Sequence, residues 1–211
     1  MPRTLCPNCQ RPTNYCYCAQ ITSEYADIDL VILQHPKETR HPMNTARIAE
    51  LGIKNCDIWV GEDFTDHQPL QELIHHTQCY LLFPGPKAQD SQQILQQQKP
   101  ETLIIIDGTW RKARRIYHCN ALLHTLPALS LNHDQLSGYR IRKAPSDKAL
   151  STIEAIVFLL RQASQSPEAH QSLLDAFNHM IQMQIHTMGE EVYQKNYGHR
   201  VQSCNLKEPE A

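Results

Sequence analysis

Two groups of residues in this chain have the types and spacing to do chemistry. The first is Thr102-Leu-Ile-Ile-Ile-Asp107-Gly108-Thr109-Trp110-Arg111-Lys112-Ala-Arg114-Arg115. An apolar, β-branched run ends in a carboxylate, a glycine turn and a tryptophan, then opens a helix with four cations in five residues. At 3.6 residues per turn Arg111, Lys112, Arg114 and Arg115 cover an arc of about 160°, leaving Ala113, Ile116 and Tyr117 to pack. A carboxylate at a strand end beside a cationic helix suits a ligand with positive and negative parts, or a small ligand lying next to a polyanion. The plainer alternative is that Asp107 or Thr109 caps the helix and the cations are a solvated face. The second group is Cys6, Cys9, Cys16 and Cys18, four of the eight cysteines within the first eighteen residues. Crowded thiols of this kind in a reducing compartment read as a metal site. Four thiolates close a tetrahedral zinc centre with no position for water, so the metal's role is structural.

Three further segments hold polar groups at positions where a ligand could meet them. His35-Pro-Lys-Glu38, followed by Asn44-Thr45, lies on a loop stiffened by Pro36 and Pro42, although Asn44 is also an ordinary N-cap. Leu82-Phe83-Pro84-Gly85 ends a strand in a rigid turn, which is also what any Pro-Gly turn does. Ser151-Thr152-Ile-Glu154 fits a capping box, and a capped helix N-terminus is also a place where a ligand carboxylate is welcome.

The elements that must position these groups alternate along the chain. Strands are predicted near 29–34, 56–60, 79–83, 103–107 and 128–131. Helices are predicted near 44–51, 70–77 and 89–97, in the basic segment after Asp107, and near 152–163 and 168–187. Strand-helix alternation implies an α/β fold with a mainly parallel sheet flanked by helices. Leu173, Phe177, Met180, Ile181, Ile185 and Met188 recur at helical spacing and read as core or a dimer face. Residues 1–22 form a knuckle with too few apolar side chains for a core of its own, 23–190 the main domain, and 191–211 a polar tail. Cys56 and Cys79 open strands and read as small core hydrophobes.

A formal charge of −2 over 211 residues excludes a nucleic-acid coat over the whole surface, so any RNA contact must be a local patch. The cations cluster at Arg111–Arg115 and again at Arg140, Arg142 and Lys143. No apolar run approaches a membrane span, and no secretory leader is apparent, so a cytoplasmic location is expected.

Asp107-Gly-Thr-Trp110 resembles the Asp-x-Thr-Trp signature of the DTW-domain family. The paired cysteines, His35-Pro-Lys-Glu38 with Asn44-Thr45-Ala-Arg47, and Leu150-Ser-Thr-Ile-Glu-Ala155 match that family in the same order, so the resemblance covers nearly the whole chain. It implies a SPOUT-like knotted α/β core with a small N-terminal zinc knuckle, and the activity of a tRNA-uridine aminocarboxypropyltransferase. Such an enzyme moves the 3-amino-3-carboxypropyl group of S-adenosylmethionine onto N3 of a uridine and releases 5′-methylthioadenosine. It further implies that Leu82, Phe83, Pro84, Gly85, Asp107, Gly108, Thr109, Ser151, Thr152 and Glu154 hold the cofactor, and that His35, Glu38, Asn44 and Thr45 belong to the site. Asp107 is then the expected base, or the group that orients the imide proton and attracts the sulfonium. Trp110 or Tyr139 is expected to stack on an unstacked base, with core packing the alternative for Trp110. Arg111, Lys112, Arg114, Arg115, Arg140, Arg142 and Lys143 are expected to take phosphates. A methyltransferase on the same fold and a non-catalytic zinc-knuckle RNA-binding protein are the competing readings, and a monomer and a homodimer are both compatible with the sequence.

Overall fold

A computed structural model describes residues 4–132, 137–141 and 149–197. Arg142 and Lys143 lie outside the described residues. Six strands form one parallel sheet in the order β2-β1-β5-β3-β6-β4: β1 (Asp29–Gln34), β2 (Cys56–Val60), β3 (Cys79–Leu82), β4 (Gln89–Asp90), β5 (Thr102–Asp107) and β6 (Ala128–Ser130). The neighbouring strands β1 and β5 are buried on both faces, which explains their uninterrupted apolar runs. Alternate residues serve opposite layers. Leu30, Ile32, Leu103 and Ile105 belong to one core cluster, whereas Val31, Leu33 and Ile104 belong to the other.

The first layer is built by α1 (Ala46–Gly52), α3 (Ser91–Gln97), α5 (Thr152–Ser164) and α6 (Gln171–Met188). In α6, Leu173, Ala176, Phe177, Met180 and Ile181 are buried at spacings of three and four, as the periodicity predicts. The second layer contains α2 (Gln68–His76) and α4 (Trp110–Cys119), with Leu70 and Ile116 fully buried. The sheet is therefore covered on both faces, as expected from the alternation of elements. Cys56 and Cys79 are buried, and loss of solvent pushes their thiols up to about 12 and about 11.

Two elements were not expected. The short strand β4 takes residues 89–90, where the sequence predicts the start of a helix, and α3 begins only at Ser91. Helix α7 (Glu190–Tyr197) follows Gly189, whose φ of 82° turns the chain out of α6, and it buries Tyr193. Among the described residues no helix is long and apolar enough to cross a membrane.

Candidate functional site

Register places the chemistry. Parallel pairing sets Gln34, the last residue of β1, beside Asp107, the last residue of β5, and β3 flanks β5 on the other side. The open side of the crevice therefore lies beyond the carboxyl ends of these strands. Asp107 is 7% exposed. Its Oδ2 accepts a hydrogen bond from Gln34 Nε2 at 2.9 Å, and its Oδ1 accepts one from the Thr152 hydroxyl. Gln34 Nε2 also donates to Asn44 Oδ1 at 3.1 Å, which fixes the orientation of the amide. Asp107 is thus oriented from two elements, strand β1 and the first residue of α5. Thr109, not Asp107, is the N-cap of α4, and the Thr109 side chain makes no capping hydrogen bond.

Beside this carboxylate lies a cavity of about 260 Å³. Leu82, Phe83 and Pro84 from the end of β3, Gly108 and Trp110 from the β5–α4 turn, and Ser151 and Thr152 from α5 line it. These are seven of the residues that the sequence assigns to catalysis or the cofactor. Phe83 is held in place by a stack on Tyr117 of α4, with ring centroids 4.3 Å apart and planes at 13°. Gly108 permits the close approach of the turn, because a Cβ there would lie 3.1 Å from Lys112 Cβ and 3.6 Å from His35 Cβ. Trp110 is 39% exposed, so core packing does not describe it, and the residue borders the cavity.

The structure separates other predicted residues from the cavity. Gly85 is exposed and has no neighbour within 4 Å of its Cβ position. Asp107, Thr109 and Glu154 do not line it, and Asp107 meets its wall through the hydrogen bond from Thr152. Ser151 and Glu154 form the full capping box of α5, and the Glu154 carboxylate also accepts from Gly138 N at 2.6 Å and Ser137 Oγ at 2.8 Å. Glu154 therefore ties the 137–138 segment to the helix. Tyr139 packs edge-on against buried Phe177 and donates to Met43 O at 3.5 Å, so its ring is occupied within the fold rather than offered to a base.

The loop after β1 is locked by ion pairs. His35 Nε2 meets Glu62 Oε2 at 2.8 Å, and the other oxygen of Glu62 meets Arg115 Nε at 2.7 Å. Glu38 pairs with Lys112 at 2.7 Å, both largely shielded from solvent. Two of the four cations on α4 are thus engaged by carboxylates of the neighbouring loops, and Arg115 remains 67% exposed. Arg111 and Arg114 are exposed and form no ion pair among the described residues. Asn44 accepts from Arg47 N at 3.2 Å and therefore caps α1 as well as holding Gln34. Thr45 is buried ahead of the same helix. Arg140 is exposed.

Sequence reasoning missed Gln34 and Glu62. Both follow apolar strands as the first polar side chain at, or just beyond, the carboxyl end, the same signal that identified Asp107.

At the N-terminus the sulfur atoms of Cys6, Cys9, Cys16 and Cys18 lie within 4.8 Å of one another. Contacts of 3.5 Å (Cys16–Cys6), 3.7 Å (Cys9–Cys16) and 3.8 Å (Cys6–Cys18) match the spacing of about 3.8 Å expected between thiolates 2.3 Å from a tetrahedral zinc. The amides of Cys9 and Asn8 lower the Cys6 thiol to about 6, while burial raises those of Cys16 and Cys18. The donor set fits a soft divalent cation. Tyr17 is 1% exposed, so the knuckle is continuous with the main core. Arg47 of α1 grips it by donating to Asn8 O from Nε at 3.0 Å and Nη2 at 2.6 Å.

Comparisons with known proteins give the family. The DTW domain matches residues 3–185. A Drosophila melanogaster protein named tRNA-uridine aminocarboxypropyltransferase 2 is 30% identical over 202 residues, covering 92% of this chain and 80% of its own. A Macaca fascicularis protein of the same name is 27% identical, covering 87% of this chain and 64% of its own. An Arabidopsis thaliana protein named tRNA-uridine aminocarboxypropyltransferase A is 22% identical, covering 86% and 81%. No solved structure matches. The chain belongs to the DTW-domain family, as its four ordered motifs indicate.

Proposed function

We propose that this protein is a tRNA-uridine aminocarboxypropyltransferase that transfers the 3-amino-3-carboxypropyl group of S-adenosylmethionine to N3 of a uridine in tRNA. The observation that carries the proposal is the cavity of about 260 Å³ at the strand ends, with Asp107 fixed beside it by Thr152 and Gln34. The names of the relatives support the same activity. When bound, S-adenosylmethionine supplies a sulfonium-activated carbon and its own leaving group. Leu82, Phe83 and Pro84 offer an apolar wall and backbone polar groups suited to an adenine. Ser151 and Thr152, at the start of α5, suit the carboxylate of the donor's amino-acid end.

The transfer forms a bond between N3 and the γ-carbon and breaks the bond from that carbon to sulfur. The electron pair stays on sulfur, giving neutral 5′-methylthioadenosine, and the imide proton leaves N3. The role of Asp107 is to accept or orient that proton and to attract the sulfonium, with both oxygens already held in position. Arg111 and Arg114 are the α4 cations best placed to meet phosphates, since Lys112 and Arg115 also brace the loops.

Zinc at the four cysteines is part of this reading, and so is a SPOUT-like knotted core with a zinc knuckle at 1–22, a catalytic domain at 23–190 and a tail at 191–211. The parallel sheet and the return of α5 to the strand ends support the core assignment. A cytoplasmic location is part of the same reading. The test is incubation of the zinc-loaded protein with S-adenosylmethionine and unmodified tRNA, followed by chromatography of the small-molecule product. The proposal requires 5′-methylthioadenosine. S-adenosylhomocysteine would establish a methyltransferase, and neither product despite RNA binding would leave a zinc-knuckle binding protein.

A further inference from the structure

A second, larger hollow of about 920 Å³ lies between the cysteine knuckle and the loop after β1. It reaches Gln34, the residue that holds Asp107 from the side opposite Thr152. Asp107 lines neither hollow, but its two partners do, Thr152 the smaller and Gln34 the larger. The smaller, at about 260 Å³, is at the lower bound for one small ligand and has no room for a nucleotide besides.

Gln34 is 2% exposed, and its Nε2 is committed to Asp107 and Asn44. Its Oε1 accepts no hydrogen bond among the described residues, yet it is not sealed off as a buried orphan. Gln34 lines the groove, so this carbonyl can take a donor from that side, whether water or a ligand. Arg11, Arg40 and Arg47 line the groove together with Glu50, which pairs with Arg47, and with Cys6 and Cys9, whose zinc-bound thiolates would offset part of the arginine charge. Arg11 is held by Pro42 O at 3.2 Å, whereas Arg40 is exposed and forms no ion pair among the described residues.

We propose that this groove receives the RNA strand that carries the acceptor uridine, so that the uracil reaches Asp107 from the Gln34 side while the donor occupies the cavity on the Thr152 side. The inference rests on the transferase reading and adds to it an acceptor path and a base-reading residue. Uracil presents N3–H between two carbonyl oxygens, and that N–H is matched by the acceptors Gln34 Oε1 and Asp107. Cytosine presents a lone pair at ring N3, which the same two acceptors repel, so Gln34 is a specificity-determining residue.

The test uses the zinc-loaded full chain, with unmodified tRNA affinity measured by fluorescence anisotropy over a salt series, S-adenosylmethionine affinity by calorimetry, and 5′-methylthioadenosine release. Arg40→Glu is expected to weaken tRNA binding at least about five-fold and to flatten the slope of log affinity against log salt by about 0.7–0.9, with donor affinity unchanged and Arg40→Lys restoring binding. Gln34→Leu is expected to keep both affinities within about two-fold and to reduce product release at least about ten-fold. Unchanged donor affinity and zinc content establish that a variant is folded. Wild-type tRNA affinity and salt slope in a folded Arg40→Glu variant would overturn the groove. Absence of product from the wild-type protein, with the Arg40 effect intact, would overturn the transferase reading and leave the groove as an RNA site.

Discussion

Replacing Asp107 with asparagine probes the center of the site with almost no change in shape. The carboxylate takes Gln34 Nε2 on one oxygen and the Thr152 hydroxyl on the other. An asparagine keeps one acceptor and places an N–H where the second was. Gln34 cannot adapt, because turning its amide would bring Oε1 against Asn44 Oδ1. Thr152 can adapt, since a hydroxyl rotates and accepts as readily as it donates. The asparagine therefore settles with its oxygen toward Gln34 and its nitrogen toward Thr152. The expected cost to the fold is about 1 kcal/mol, the net worth of one exchanged hydrogen bond, or roughly 2–4 °C in melting temperature for a domain of this size. Catalysis should suffer far more, because the variant has lost the charge that accepts the imide proton and attracts the sulfonium. General-base contributions of about 10²–10⁴ set the expected fall in 5′-methylthioadenosine release. The assay is single-turnover release at saturating donor and tRNA, beside thermal unfolding of the same samples. Release within about five-fold of the wild type, from a folded variant, would refute the assignment of Asp107.

Ser151→Ala removes the cap from α5, and a loss of about 1 kcal/mol should appear as roughly 2–4 °C in thermal unfolding. Reversing Arg111 and Arg114 together should lower tRNA affinity and flatten its salt dependence by about 0.7–0.9 per lost phosphate contact, read by anisotropy, with zinc content unchanged. Removal of zinc by a chelator should expose the knuckle and, through the shared core around Tyr17, sensitise the first twenty-odd residues to limited proteolysis. Acid should do the same. Protons compete with the metal for all four thiolates. A metal-sensitive dye should therefore detect more free zinc as the solution is acidified than at neutral pH.

The elements were legible because a sheet buried on both faces leaves continuous apolar runs, and Val31 through Leu33 and Leu103 through Ile105 have no other use. Helix α7 escaped because only Tyr193 among its residues is buried, too few apolar positions for a periodic signal. At the site, motifs identified residues without identifying their partners. Glu154 and Tyr139 carry the residue types that bind ligands, yet contacts distant in sequence, with Gly138 and Phe177, commit them to the fold. Gln34 had no motif to mark it. Its role arises from the register of β1 against β5, which sets it beside Asp107 across 73 residues of chain. Pairing of this kind is a tertiary property, visible in sequence only as a polar residue ending an apolar strand.

The most direct test of the account is the mass of the modified nucleoside. Unmodified tRNA treated with the zinc-loaded protein and S-adenosylmethionine should yield, on digestion, a uridine heavier by one aminocarboxypropyl group, formed mole for mole with 5′-methylthioadenosine and abolished by Asp107→Asn. A methylated nucleoside, or an aminocarboxypropyl-uridine that the Asp107→Asn protein still makes at the wild-type rate, would contradict it.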